Sequence, residues 1–377
     1  MKHVLLGTTA LVAAGLVASN AHAAQGVQLG LGGYYTAAAG LLISQDHGTG
    51  DAGHNTRDIV FRQDVEVHFK GETTLDNGLT VGATIQLEGQ QSDDQIDEVW
   101  AYFKGGWGQV RFGDDDDASE QLHYLIPGAS NAFGVDTPYF EFSNSARVTT
   151  QTNSTVVDLS GDATKIIYFS PTFSGFSFGF SFAPDQGEQD QYSGFVTANN
   201  SSGTTFSNNN AQLQNIFSAA LNFDHDFNGV SLATGAGFSE GQYENTGTNA
   251  NADTEWGVDG HLIVSFSGFT IGGAGRYVEN FNNSTAGVGI SGQDLWVAGV
   301  GGTYNWDAWT VGLAWSHGEY DVNANNTDVV DIIQLSGRYD LGPGISLDAM
   351  VGMNNADVDT APNDTTWETG VGFYIGF

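Results

Sequence analysis

From Phe176 to Phe182, inside the stretch "FSGFSFGFSFAP" (173–184), every second residue is Phe, and the residues between are Ser177, Gly179 and Ser181. A strand sends alternate side chains to opposite faces, so one face here is aromatic and the other small and polar. The same two-residue period returns in "WETGVGFYIGF" near the C-terminus, with Trp367, Thr369, Val371, Phe373, Ile375 and Phe377 on one face and Glu368, Gly370, Gly372, Tyr374 and Gly376 on the other. "WTVGLAWS", "FSAALNFD" and "ISLDAMVGM" behave alike, and helical spacing fits none of them.

Extending this period along the chain predicts sixteen strands, near 26–43, 58–74, 78–90, 95–105, 107–114, 164–173, 175–184, 211–227, 229–242, 253–267, 269–280, 292–305, 308–320, 328–341, 344–355 and 364–377. The connections alternate in length. "LDNG", "GGWG", "FSG", "FNG", "SGF", "NWDA" and "DLGPG" are tight turns built from Asn, Asp, Gly and Pro. Between them lie longer polar segments, of which 114–163 is by far the longest. That strict alternation describes an up-and-down meander with all its long loops at one end.

Nothing in such a chain can cover the apolar face with helices. Lipid outside and water inside satisfy both faces, provided the sheet closes and leaves no backbone edge in hydrocarbon. The expected fold is therefore all-β, a transmembrane antiparallel up-and-down barrel of sixteen strands. Charges agree: Glu368, Asp348, Asp259, Arg276 and Arg338 fall on the small-residue face. A cation on the lipid side would cost about 2–4 kcal/mol at mid-bilayer. Phe173, Phe176, Phe227, Phe269, Trp306, Trp309 and Tyr339 flank the short turns, where an interfacial aromatic belt belongs.

Residues 1–23 read as a cleaved signal peptide: Lys2 and His3, the apolar run "VLLGTTALVAAGLVA", then "AHA" as a small-x-small cleavage site. The barrel domain is then 24–377. Lys and Arg number 10 against 44 Asp and Glu, a formal charge of −34, which argues against nucleic acid as a partner. The chain has no Cys, so no disulfide supports it. A secreted acidic adhesin or β-solenoid is the alternative from a different class. It calls for a fixed-period repeat, and none is visible.

"FRQDVEVHFKGETTLDNGLTVGATIQLEGQ" (61–90), "DEVWAYFKGGWGQVRFGDDDD" (97–117) and the terminal "VGFYIGF" together resemble the Gram-negative general porins, trimeric diffusion channels of sixteen strands, and among them the α-proteobacterial branch. The resemblance implies an outer-membrane location, a homotrimer, contact with outer-membrane lipid and lipopolysaccharide, and passive passage of small hydrophilic solutes and ions. It also implies that the third external loop, 114–163, folds inward and narrows the bore, and that a final Phe is read by the barrel-insertion machinery. Within that loop Asp136 and Glu141 become the candidate constriction acids. Arg62, Lys70, Arg111, Arg276 and Arg338 become the candidate basic wall. The family's Pro-Glu-Phe-Gly-Gly signature is absent, with "AFGVDTPYFEF" in its place.

"DDDD" at 114–117 is the sharpest charge cluster, and Asp114, Asp115, Asp116 and Asp117 are candidate oxygen ligands for Ca²⁺. A solvated acidic cluster is the competing reading, and no cofactor is required for a passive pore. No catalytic motif stands out; His261 with Asp259, and His225 with Asp224 and Asp226, are the pairs that could imitate a barrel enzyme. The other competitor is a substrate-specific channel. A sugar channel needs aromatics on the lumen face, whereas Trp and Phe here mostly face outward, and a phosphate channel needs a basic constriction. The acid excess points to modest cation selectivity.

Overall fold

The computed structural model describes residues 26–45, 58–89, 96–136, 153–187, 212–243, 254–281, 293–323, 326–357 and 364–377. The expected leader at 1–23 and Glu141 lie outside the described residues. Sixteen strands follow in chain order: β1 Gln28–Gln45, β2 Ile59–Thr74, β3 Thr80–Glu88, β4 Ile96–Gly105, β5 Gly108–Asp114, β6 Thr164–Phe169, β7 Phe176–Asp185 and β8 Leu213–Asp226. The second half comprises β9 Val230–Tyr243, β10 Thr254–Phe266, β11 Phe269–Glu279, β12 Leu295–Trp306, β13 Trp309–Asn323, β14 Asn326–Gly342, β15 Ile345–Asp357 and β16 Asp364–Gly376. Each pairs antiparallel with its sequence neighbour, and β1 pairs with β16 to close the barrel. The last residue takes part in closure: Phe377 donates its backbone N–H to Gly33 at 3.0 Å and accepts from Gly33 N–H at 2.9 Å.

The turns show why Ser-Gly and Asn-Gly punctuate the sequence. Ser267 and Gly268 have φ of 49° and 86°, and Asn228 and Gly229 have 58° and 94°. Positive φ at both central residues matches the twist of a two-residue hairpin. The alternation becomes two surfaces. On β13 the outward Val311, Leu313 and Trp315 are exposed, while Thr310, Ala314 and Ser316 are buried toward the bore. Trp309 packs on Tyr339, and Phe269 on Tyr304, beside the short turns. A second group of aromatics lies toward the other end of β10–β13: Trp256 packs against Tyr277, and Trp296 and Trp315 donate their indole N–H to Glu319 and Asp331 at 2.9 and 3.1 Å. The sequence reading had placed only the aromatics beside the short turns.

Inside the barrel the outgoing part of the long loop carries a short helix, α1, Ala118–Leu122. Asp117 caps it, accepting from Ser119 N–H at 2.8 Å and Glu120 N–H at 3.1 Å, as a short acidic residue at that position does.

Candidate functional site

The described parts of the long loop, 115–136 and 153–163, enter the bore and lie along the inner wall, so the inward fold expected for this loop is present there. Three apolar clusters seat it. Ile126 and Val135 pack on Ala274, Ala314, Val330, Ile332 and Ala356. Ala132 and Phe133 pack on Ala38, Leu42 and Met350. Val157, Leu159 and Ala163 pack on a patch that includes Ile216, Val278 and Leu295. Phe133 is 0% exposed, and burying such a side chain contributes about 1.5–3 kcal/mol.

Inward glycines make the bed on which the loop rests. A Cβ on Gly237 would stand 1.7 Å from Ser119 Oγ, one on Gly299 2.3 Å from Ile126 Cδ1, and one on Gly301 2.1 Å from Pro127 O. These close approaches explain why the lumen face of β9 and β12 is bare just where the loop crosses it.

Polar bonds fix the register of the loop along the wall. Asn131 N–H donates to Asp348 Oδ1 at 2.7 Å and Ser316 Oγ donates to Val135 O at 2.8 Å. Ser239 Oγ donates to Asp117 Oδ2 at 2.6 Å. Asp259 on β10 is the junction. It accepts Ser119 Oγ at 2.6 Å and Val157 N–H at 3.0 Å, and its Oδ1 lies 2.9 Å from His123 Nδ1. One wall carboxylate thus holds both the outgoing and the returning arm. His261, its expected companion, instead has Nδ1 against Tyr124 N–H and Nε2 against Asn222 Oδ1, each at 3.3 Å.

Asp136 is 1% exposed. Its oxygens accept Ile126 N–H at 3.2 Å, Thr155 N–H at 2.9 Å and Thr155 Oγ, so it laces the two arms together and offers no oxygen to the bore. Burial pushes its carboxyl up from the ordinary Asp range, and the bonds from Thr155 oppose that shift.

The expected basic wall divides into matched pairs. Lys70 lies 3.5 Å from Glu72, Arg111 2.9 Å from Asp115, and Arg338 2.9 Å from Asp340. Arg338 also donates to Asn131 Oδ1 at 3.2 Å, and Arg276 donates to Val156 O at 2.8 Å, so both touch the loop. Arg111 stacks over Trp100 at 4.2 Å. Arg62 is exposed on the inward face of β2, next to Asp64 and Glu66.

The four consecutive acids do not converge. Asp114 accepts Thr164 Oγ1, Asp115 accepts Arg111 and Gln121 at 2.9 and 2.7 Å, and Asp117 caps α1. Only Asp116 joins a set with cation-ligand spacing. Its carboxylate falls within 4.8 Å of those of Glu98 and Asp162, and in a second grouping of those of Glu120 and Asp158. Burial and the neighbouring carboxylates push Asp116 and Glu120 well above the ordinary range. Burial, reinforced by Asp97 and Asp158, pushes Asp162 up to about 7. Asp117 goes up to about 8, chiefly through burial. The sequence reading missed Glu98, Asp158, Asp162 and the latch at Asp259, because each meets its partners from a different element of the chain, 18 or more residues away (116 − 98 = 18 for the nearest pair).

A profile of the Gram-negative porins matches residues 7–359. No curated protein matches the sequence significantly. Among solved structures, the outer membrane channel DcaP of Acinetobacter baumannii is 14% identical with a TM-score of 0.62, over 93% of this chain and 98% of that one. An anion-selective porin from Comamonas acidovorans is 14% identical with a TM-score of 0.59, over 93% of this chain and 100% of that one. OmpT of Vibrio cholerae, in its trimer form, is 12% identical with a TM-score of 0.60, over 94% of this chain and 100% of that one. At these identities the likeness is one of fold.

Proposed function

This chain belongs to the Gram-negative porin family of outer-membrane diffusion channels, and on that premise we propose that it is no enzyme and that its bore prefers cations. A sixteen-stranded barrel is wide enough to leave an aqueous channel. The sign of the preference is a property of the lining and not of the fold, since the Comamonas acidovorans relative is anion-selective. The observation that carries the proposal is the pairing on the wall. Lys70, Arg111 and Arg338 each have a carboxylate within 3.5 Å, so their positive fields are cancelled locally. With 44 acids against 10 bases in the chain, the acids still uncompensated set the potential that mobile ions meet. Arg62 stands as an exposed wall cation, and Glu141, outside the described residues, stays a candidate constriction acid; Asp136 acts by holding the two arms of the loop together.

The test is the reversal potential of purified protein in a planar bilayer under a KCl gradient. The expected potential has the sign of K⁺ permeating faster than Cl⁻. A potential of the Cl⁻ sign refutes the preference.

A homotrimer is part of the same proposal. Strands β5 and β6 have seven and six residues, against seventeen in β14. At about 3.3 Å per residue, six residues reach about 20 Å before any tilt, short of the about 30 Å hydrocarbon core. That side of the wall, with Phe112 and Ile166 exposed on its outer face, suits a protein neighbour better than lipid. Crosslinking in mild detergent is expected to give trimers, and a monomer alone would count against it. Cleavage after Ala23 belongs to the proposal too, and the mature N-terminus read by mass spectrometry tests it.

A further inference from the structure

The root of the loop holds far more negative charge than its surroundings balance. Glu98 comes from β4, Asp114 to Asp117 and Glu120 from the outgoing arm, and Asp158 and Asp162 from the returning arm. The basic side chains acting on them are Arg111 and Lys165. Both are committed: Arg111 to Asp115, and Lys165 to the carbonyl oxygens of Asp115 and Gly161. Asp114 and Asp117 take Thr164 and Ser239, and Asp158 Oδ1 accepts Ser160 and Gly161 N–H at 2.9 and 3.0 Å. Glu98 is different. It is 8% exposed, and among the described residues no hydrogen-bond donor reaches its carboxylate. It projects inward to the point where Asp116 and Asp162 also bring an oxygen. A carboxylate that is only 8% exposed, bonded to no donor and set beside two further carboxylates calls for a counter-charge.

We propose that Glu98, Asp116 and Asp162 bind a hard divalent cation of the calcium type, which ties wall strand β4 to both arms of the constriction loop. The spacing fits the chemistry. Ca²⁺–O distances of about 2.4 Å place the oxygens of one shell no more than about 4.8 Å apart. The three acids bring one oxygen each within 4.8 Å of the others. All the donors are oxygens, with no thiolate or imidazole among them, which selects Ca²⁺ or Mg²⁺ over transition metals. Asp116 also stands within the same spacing of Glu120 and Asp158, so further oxygens are at hand for the six to eight that Ca²⁺ takes. With the ion in place, the two arms are joined across 46 residues of sequence (162 − 116).

Folded protein treated with EGTA is titrated with CaCl₂ by calorimetry in physiological salt. The expected result is one saturable site per chain, lost in Glu98→Gln and weakened at least about tenfold in Asp162→Asn. Tb³⁺ luminescence locates the site without altering an acid. Trp100 is two residues from Glu98 on the same inward face, about 7 Å along the strand, so its sensitised emission is expected to fall in Trp100→Phe. Only weak, non-saturating uptake overturns the proposal, as does a saturable site untouched by Glu98→Gln or an emission untouched by Trp100→Phe. Calcium uptake is read without current, so it stands or falls separately from the ion preference of the bore.

Discussion

Replacing Asp259 with Ala removes a wall carboxylate that holds both arms of the loop. Three contacts disappear: Ser119 Oγ at 2.6 Å, Val157 N–H at 3.0 Å and His123 Nδ1 at 2.9 Å. Hydrogen bonds to a charged group contribute about 1.5–3 kcal/mol each, so the three have a ceiling of about 4.5–9 kcal/mol. His123 keeps Thr155 Oγ1 at 3.1 Å, and the apolar clusters are untouched, so a net weakening of about 3 kcal/mol is the working value. Each 1.4 kcal/mol is a factor of ten, so the fraction of time the loop spends off the wall should rise about a hundredfold. The assay is open-channel current noise in planar bilayers, paired with the rate at which protease cuts the loop in detergent. Asp259→Asn retains one acceptor and should fall between wild type and Asp259→Ala. Folded Asp259→Ala with wild-type noise and wild-type protease resistance would show that the loop is held elsewhere.

Gly301→Val puts a Cβ 2.1 Å from Pro127 O, and relieving that overlap should cost about 1–3 kcal/mol of loop attachment, read as noisier current from a barrel of unchanged heat-modifiability on gels. Asp136→Asn should flatten one pH dependence. Burial raises the Asp136 carboxyl above its unfolded value, so its stability contribution is complete below about pH 4 and declines as pH rises through the folded value; thermal melts across pH 4–7 should lose that slope in the variant, and an unchanged slope would assign it to other groups. Deleting Phe377 removes both closing bonds to Gly33 and should lower the yield of folded barrel on refolding, which native-gel mobility checks.

The barrel could be read from the chain because its signals are local. Two-residue periodicity and Ser-Gly or Asn-Gly turns act over a few residues, and the strand from Phe176 is visible from its phenylalanines alone. The seat of the loop could not. Asp117 meets Ser239, Asn131 meets Asp348 and Gly301 meets Pro127 only after closure, and no short-range pattern marks such pairs. The five residues of α1 are too few to show helical periodicity, and their cap lies inside a run of acids that reads as mere charge. "DDDD" misleads for a related reason. Neighbouring residues on an irregular backbone point in different directions, so Asp116 finds its companions at Glu98 and Asp162 and not beside it. Inward glycines were visible as small residues, but only the loop explains which ones must be small.

The wet bore inside a lipid-facing wall is tested most directly by single-channel conductance of the purified protein. Discrete, nearly ohmic steps whose size grows in proportion to the bulk conductivity of KCl are predicted, because ions would move through water and not through a saturable binding chain. Membranes that stay silent, or steps that level off as salt rises, would contradict a diffusion channel.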